Sequence, residues 1–541
     1  MPLSHRQTLG GGDILSSGAL SPYRAVIPGR GEQHIVRSEL FDGTPGMLPL
    51  GPRRPLACVA HMTDLHITDV QSPGRFEFIN REFLDPRFAE LIPMQRPQEA
   101  LTPHALGALI RTLNGEAAGP VTGVPLELVV TGGDAIDNGQ QNEMRALLRL
   151  LDGGTVGPNS GAPRYEGVQS VAWPDDIFWV PDGRLEAPDM FQRDFGFPVA
   201  PGLLERAIRP FDSPGLRVPW LGCHGNHDSL CRGVGRMTAD LRTALVGGRK
   251  PVALPDGFDR DLALETFITR PEAFLAGRTV DVTADAGRHH CTLAEFVAAH
   301  IDGTASGHGF DERNLRDGTA YLVRDTPAVR FIVLDLACPA GSAQGCMDDE
   351  QLLWLEHRLM EVHSSYRDAK GGTVRTRATD RIVVVVSHHG SETVSSTRRH
   401  ADGSTPSAGS RLLSTLLRFD NVVLWLNGHT HTHAIRPRSD PGGAGRGLWE
   451  VTTASLVDWP CQARLIELVD MGDGALAIAS TMIDYDGPAD PGGAETSLEL
   501  ASLHRQLAAN MPMAGFGSAL EGTPLDRNVI MMRRLGFALP A

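Results

Sequence analysis

Five short clusters in the chain carry side chains of the kind that hold metal ions. They are Asp64-Leu65-His66, Gly133-Asp134-Ala135-Ile136-Asp137-Asn138, Gly225-Asn226-His227-Asp228, His388-His389 and Gly428-His429-Thr430-His431. In an extended chain, residues two apart point to the same side. Asp64 and His66 are therefore expected to grip one ion, with His429 and His431 doing the same from the other end of the chain. Imidazole, carboxylate and amide donors without a thiolate suit Mn, Fe, Zn or Co, rather than Cu(I), an iron–sulfur cluster or a calcium cage. The two oxygens of Asp134 allow it to bridge two ions. Two cations about 3.5–4 Å apart polarise a phosphoryl oxygen and turn bound water into hydroxide near neutral pH. Taken singly, Asp64 reads as a strand-end cap and Gly133-Asp134 as a turn; taken together, the five clusters point to a metal centre.

Each cluster follows a short buried run: residues 55–62 (PLACVAHM), 126–131 (LELVVT), 218–223 (VPWLGC), 381–387 (RIVVVVS) and 421–427 (NVVLWLN), with a further run at 330–336 (RFIVLDL). Ligands of open α/β sheets bind at the carboxyl ends of strands. Apolar spacing predicts helices over 99–113, about 141–151, 348–362 and about 410–418. Strand-like segments near 447–452, 464–468 and 476–481 close the series, so the fold class is α/β with an antiparallel finish. Residues 1–52 show no sustained period and read as an N-terminal arm. Segments of about 70–100, 152–214 and 229–319 are insertions, long enough to be functional covers. Residues 486–541 read as a linker and helical tail carrying Leu498, Leu500, Leu503 and Leu507.

The ordered set DxH, GDxxDN, GNHD, H and GHxH, spread over residues 64–431, resembles the calcineurin-like metallophosphoesterase superfamily. Any one block is weak, but all five in order behind buried strands are specific. The resemblance implies a four-layer α/β/β/α sandwich, with residues 53–485 as the metallophosphoesterase domain. It also implies two divalent or trivalent transition-metal ions. Carried over by position, one ion takes Asp64, His66, Asp134 and His431, and the other takes Asp134, Asn226, His388 and His429. A bridging hydroxide attacks phosphorus, His227 serves the leaving group, and Asp137 falls where a carboxylate orients that histidine. The family pattern has a proline after its fourth-block histidines, whereas this chain has Gly390. The first histidine of the pair, His388, is favoured as ligand over His389. The implied function is hydrolysis of a small phosphodiester or phosphomonoester; a non-catalytic scaffold on the same fold and a nuclease are the alternatives.

Composition narrows the field. The chain has 541 residues, 41% of them hydrophobic, and its 60 glycines and 38 prolines stay below the ~25–30% that marks low-complexity disorder. The longest apolar runs, Ile382 to Val386 and Val422 to Leu426, fall far short of the ~18 residues that span a bilayer, so no membrane partner is expected. The net charge of −15 argues against nucleic acid as a partner. No basic start followed by an apolar stretch marks a secretory leader, and Arg53-Arg54 lies too far inside for a twin-arginine signal. A cytoplasmic protein is expected, with a processed secreted form left open. The seven cysteines include no CxxC; Cys338 and Cys346 are close enough in sequence to bridge a loop, but free thiols are favoured. His61, His224 and His433 are expected to pack beside the clusters, and Asn138 and Asp228 to fix loops. His289-His290-Cys291 is expected to be local structure, and Arg75, Arg81 and Arg96 are not expected to face a phosphate. Serine-hydrolase elbows, P-loops, HExxH and GxGxxG motifs are absent.

Overall fold

The computed structural model describes residues 3–41, 54–115, 118–184, 186–303, 307–399, 403, 406–441 and 446–539. The end of the expected N-terminal arm and Arg53 lie outside the described residues. Two sheets organise the α/β fold. One has seven strands in the order β3 (Ile35–Leu40), β15 (Val529–Arg534), β14 (Ala475–Asp484), β13 (Gln462–Gly472), β4 (Arg54–Met62), β5 (Leu128–Thr131) and β6 (Trp220–Leu221). β4, β5 and β6 are parallel, with Val59 opposite Leu128 and Val129 opposite Trp220. The other sheet has six strands in the order β7 (Leu322–Asp325), β8 (Val329–Val333), β9 (Ile382–Val386), β10 (Val422–Asn427), β12 (Gly447–Thr452) and β11 (Ala434–Ser439). Its four inner strands, β8, β9, β10 and β12, are parallel, and only β7 and β11 at the edges run antiparallel.

The inner parallel strands read as unbroken apolar runs because both of their faces are covered. On one face of the six-stranded sheet, Ile332, Val383, Val385 and Trp425 pack with Leu352, Leu355 and Leu359 of helix α3 (Asp349–Met360) and Leu412 and Leu416 of α4 (Gly409–Leu416). The alternate residues Phe331, Val333, Val384, Val386, Leu424 and Leu426 join a larger core with β4, β5 and β13. That core also takes Leu106, Leu109 and Ile110 from α1 (Thr102–Gly115) and Met144 and Leu147 from α2 (Gln141–Asp152). The Asp348 side chain accepts the Gln351 N–H, which starts α3 where the sequence places it. β6 is shorter than the 218–223 run, because Pro219 has no N–H to donate and Gly222 turns to the His308 carbonyl.

Both ends of the chain supply strands that no sequence period announced. Residues 7–17 and 22–30 form an antiparallel hairpin, β1 (Gln7–Ser17) and β2 (Pro22–Arg30), with Gln7 opposite Arg30. β1 is half or fully exposed along its length and contains Gly10-Gly11-Gly12, so it carries no alternation to read. β3 pairs in parallel with β15, which follows the expected C-terminal helix, α5 (Ser497–Ala509). Of the later strands expected to run antiparallel, β13 and β14 do so, with β15 antiparallel to β14 beside them, whereas β12 lies parallel to β10 and antiparallel only to β11.

The insertions pack in small clusters of their own. Phe76, Phe78, Ile79, Phe88 and Met94 from the first meet Val234, Leu241, Phe267 and Phe274 from the third. Trp179, Phe191 and Phe197 from the second pack on Leu500, Leu503 and Leu507 of α5. All seven cysteines are buried, and no disulfide joins them. Among the described residues no helix is long and apolar enough to cross a membrane.

β15 places Met531 at 0% exposure in the main core. Met531→Ala is expected to cost about 2–5 kcal/mol. It should lower the urea midpoint of unfolding at unchanged slope. A shift of under about 0.5 kcal/mol, the usual range for surface substitutions, would show that β15 is not part of the core.

Candidate metal centre

The five clusters leave the carboxyl ends of β4, β5, β6, β9 and β10, which are parallel strands of two adjoining sheets. Main-chain bonds fasten their loops in pairs. Asp64 N–H donates to the Gly133 carbonyl and His66 N–H to that of Asp134 (both 3.0 Å), while Gly428 N–H donates to that of His388 (3.0 Å). Leu456 N–H then reaches the Asp64 carbonyl (3.2 Å), tying the loop after β12 to the first cluster. Asp64 and His66 are not extended, as the sequence reading assumed. Asp64, His66, Asp134, His429 and His431 all adopt left-handed backbone, with φ of 52°, 45°, 49°, 68° and 55°. Side chains two apart are brought together by tight left-handed turns, a conformation of about 1–3 kcal/mol per residue that clusters at functional sites. Close approach also demands Gly225, where a Cβ would lie 2.2 Å from Asp134 Oδ1.

The hydrogen bonds fix which ring nitrogens face the pocket. His66 Nδ1 lies 3.0 Å from Asp137 Oδ1 and His431 Nδ1 lies 2.6 Å from Asp458 Oδ2. A carboxylate only accepts, so both Nδ1 atoms carry a proton, and in the neutral ring Nε2 is the lone pair that an ion would take. Those two Nε2 atoms stand 3.3 Å apart, and His431 Nε2 is 3.3 Å from Asp64 Oδ1. Between neutral rings these acceptors repel, and either a second proton on His431 or a metal ion between them relieves the conflict. Two ligands on one tetrahedral ion, at about 2.0–2.1 Å each, stand about 3.3–3.4 Å apart. His388 Nδ1 donates to the Gly132 carbonyl (2.9 Å), and its Nε2 is 3.0 Å from Asp134 Oδ2. Asn226 Nδ2 donates to the Gly233 carbonyl (2.9 Å), which leaves Oδ1 to the pocket side. Asp64 Oδ1, Asn226 Oδ1 and His388 Nε2 are buried without a hydrogen-bond partner.

Asp64, His66 and His431 therefore come together as a potential ligand group, as do Asp64, Asp134 and His388, and as do His388, His389 and His429. These groups contain every carboxylate and imidazole named as a ligand from the sequence, and the donor set fits transition-metal ions. The electrostatics agree. Burial pushes the His431 and His388 imidazoles down, but the carboxylates beside them reverse this and hold both up to about 9. Burial likewise raises the Asp64 and Asp134 carboxyls, and the neighbouring imidazoles overcome it and hold both low. The pocket attracts positive charge. Buried His429, with no carboxylate on its ring, falls to about 3.

His227 and Asp137 meet, but not as expected. His227 Nδ1 donates to the Asp137 main-chain carbonyl at 2.7 Å, while the Asp137 carboxylate is 3.5 Å away and is taken by His66. The same carboxylate pairs with Arg232 and lies 3.8 Å from Arg75. His227 N–H donates to Asp134 Oδ1 (2.8 Å). Asp228 accepts the N–H groups of Gly225, Ala135 and Ile136, and Asn138 joins Gly74 and Arg232, so both fix loops as read. Arg75 pairs with Glu99, Arg81 with Asp175 and Arg96 with Asp458, so none is a free phosphate ligand. His290 bonds the Ser229 carbonyl, a local role.

Sequence reasoning missed Asp458 and Arg232. Asp458 lies on the loop after β12, a parallel neighbour of β10, which is the one signal that pointed to it. It grips Arg96 through both oxygens (2.7 and 3.0 Å) while accepting His431 Nδ1–H.

No protein-family model matches the chain, and no curated protein does. Among the solved structures similar to it are two phosphatases. A dimetal phosphatase from Danio rerio is 11% identical, at a TM-score of 0.35, with 80% of this chain and 100% of that chain covered. A purple acid phosphatase from yellow lupin (Lupinus luteus) seeds is 10% identical, at a TM-score of 0.28, with 85% of this chain and 57% of that chain covered.

Partners behind metal-binding histidines typically contribute 10–100-fold in metal affinity. Asp458→Asn is expected to weaken binding of one of two Zn²⁺ ions by about that factor in a chelator competition. Unchanged binding of both ions would remove Asp458 from the site.

Proposed function

We propose that the chain is a calcineurin-like metallophosphoesterase that hydrolyses small phosphoric esters at a pair of transition-metal ions. The observation that carries this reading is the convergence of His66 Nε2, His431 Nε2 and Asp64 Oδ1, three potential ligand atoms within about 4 Å of one another in a buried pocket. Asp64, His66, Asp134 and His431 would hold one ion, and Asp134, Asn226, His388 and His429 the other. Such a pair supplies Lewis-acid polarisation of the phosphoryl group and lowers the pKa of bound water. The packing of helices, seven-stranded sheet, six-stranded sheet and helices supports reading the fold as a four-layer sandwich.

The protein's own side chains then have separate tasks. Asp137 and Asp458 hold His66 and His431 in the tautomer that presents Nε2. His227 is anchored through both its main-chain N–H and Nδ1–H, which leaves Nε2 to exchange a proton. In hydrolysis a water oxygen joins phosphorus as the P–O ester bond breaks, and the leaving oxygen takes a proton. His227, 18% exposed at its side chain, is the group assigned to relay it: Nε2 takes up the proton that the attacking water releases and passes it to the leaving oxygen. His227 and His431 keep 18% and 14% of their side chains exposed, so they mark the side from which a substrate would approach.

Asp134→Asn is expected to lose metal by elemental analysis together with nearly all turnover. Turnover kept by metal-free Asp134→Asn protein would overturn the reading. His227→Asn is expected to keep both ions and lose about 10²–10⁴-fold in kcat. Comparing an aryl phosphomonoester with the matching bis-aryl diester assigns the preference between the two substrate types.

A further inference from the structure

The loop after β9 places two histidines at the site. His389 has no assigned task, yet it is 0% exposed. Its Nε2 lies 3.0 Å from the Ala343 carbonyl. A carbonyl only accepts, so Nε2 carries the ring proton and Nδ1 is the lone pair. Nδ1 is buried with no hydrogen-bond partner, in the same condition as His388 Nε2 and Asn226 Oδ1. One ring nitrogen from each of His388, His389 and His429 lies within 4.8 Å of the others. Three nitrogens about 2.0–2.1 Å from one ion stand about 3.3–3.6 Å apart, so three imidazoles within 4.8 Å would draw together by up to roughly 1 Å to share an ion. The His389 and His429 ring centroids are 4.3 Å apart, at an interplanar angle of 47°.

The backbone around His389 is built for this placement. A Cβ on Gly345 would lie 2.6 Å from His389 Cγ and 2.9 Å from Nδ1, so the loop bearing Ala343 closes on the ring only with glycine there. Gly390 stands where the resembling family has proline, and a Cβ on it would meet Glu450 Oε1 at 2.6 Å and Asn427 Nδ2 at 2.9 Å. The chain thus turns tightly after His389, and its ring stays beside that of His388.

We propose that His389 contributes Nδ1 as a third imidazole to the ion held by His388 and His429, an inference that rests on the metal-centre reading above. That ion would then be richer in nitrogen donors than its neighbour, and the two sites would differ in metal preference.

The test titrates metal-free protein with Co²⁺ alone, following stoichiometry and affinity by calorimetry and ligation by visible absorption. Wild type is expected to take two ions. His389→Ala should bind one ion as wild type does and the other at least tenfold more weakly, with a changed cobalt spectrum. Two further variants separate ligation from packing. His389→Asn sets a donor atom near the Nδ1 position without the reach to Ala343, and His389→Gln keeps the reach to Ala343 without a donor at Nδ1. Partial recovery of affinity in the Asn variant but not in the Gln variant supports the proposal. Recovery in the Gln variant alone, or two ions bound by His389→Ala with unchanged affinity and spectrum, overturns it. Wild type that takes up no cobalt overturns the metal-centre reading itself, a result distinct from one confined to His389. Thermal melting of each metal-free variant against metal-free wild type confirms that the fold is kept.

Discussion

The constraint on which the site depends is the crowding of potential ligand atoms in a buried pocket. His66 and His431 each give the Nδ1 proton to a carboxylate, so that in their neutral forms they present bare nitrogens to each other and to Asp64, a conflict that a second proton on His431 or a metal ion relieves. In a buried pocket this arrangement is costly, because unpaired acceptors lose their water and gain nothing. The fold nevertheless enforces it by main-chain pairing of the loops that carry the clusters. A cation removes the conflict, and metal binding and local stability at the strand ends are therefore coupled.

The groups behind those carboxylates show what the insertions contribute. Arg96 and Arg75 come from the segment after β4, and Arg232 from the one after β6. They pair with Asp458, Glu99 and Asp137 respectively, all nearly buried. Burying such pairs brings a large desolvation cost, and removing one partner leaves the other charge uncompensated. Arg232 itself is pulled down to about 9 by burial and by Arg75. The insertions are therefore more than lids: their arginines pair with Asp137 and Asp458, and those two residues orient the histidines. The first and third insertions share an apolar cluster of phenylalanines, which gives this outer layer its own rigidity.

The backbone bears a second part of the cost. Five non-glycine site residues sit at positive φ. Such conformations persist only where surrounding bonds over-determine them. Here Asp64 and His429 are pinned by bonds to Gly133 and to Asp64 Oδ2. Strain at the strand ends and order in the parallel strands beneath are two sides of one design.

The sequence by itself determined the α/β class, the inner strands and the residues that converge, because parallel strands buried on both faces must be apolar runs and because chemistry-bearing residues follow them directly. It could not show β1, exposed along its length with no alternation to read, or β3 and β15, which pair with each other from opposite ends of the chain. Nor could it assign the Asp137 carboxylate to His66 instead of His227, or find Asp458, since a hydrogen-bond partner is chosen by distances across loops. The left-handed turns at Asp64 and His66 were likewise decided only in three dimensions, where the loops after β4 and β5 pair with each other and leave no room for an extended path.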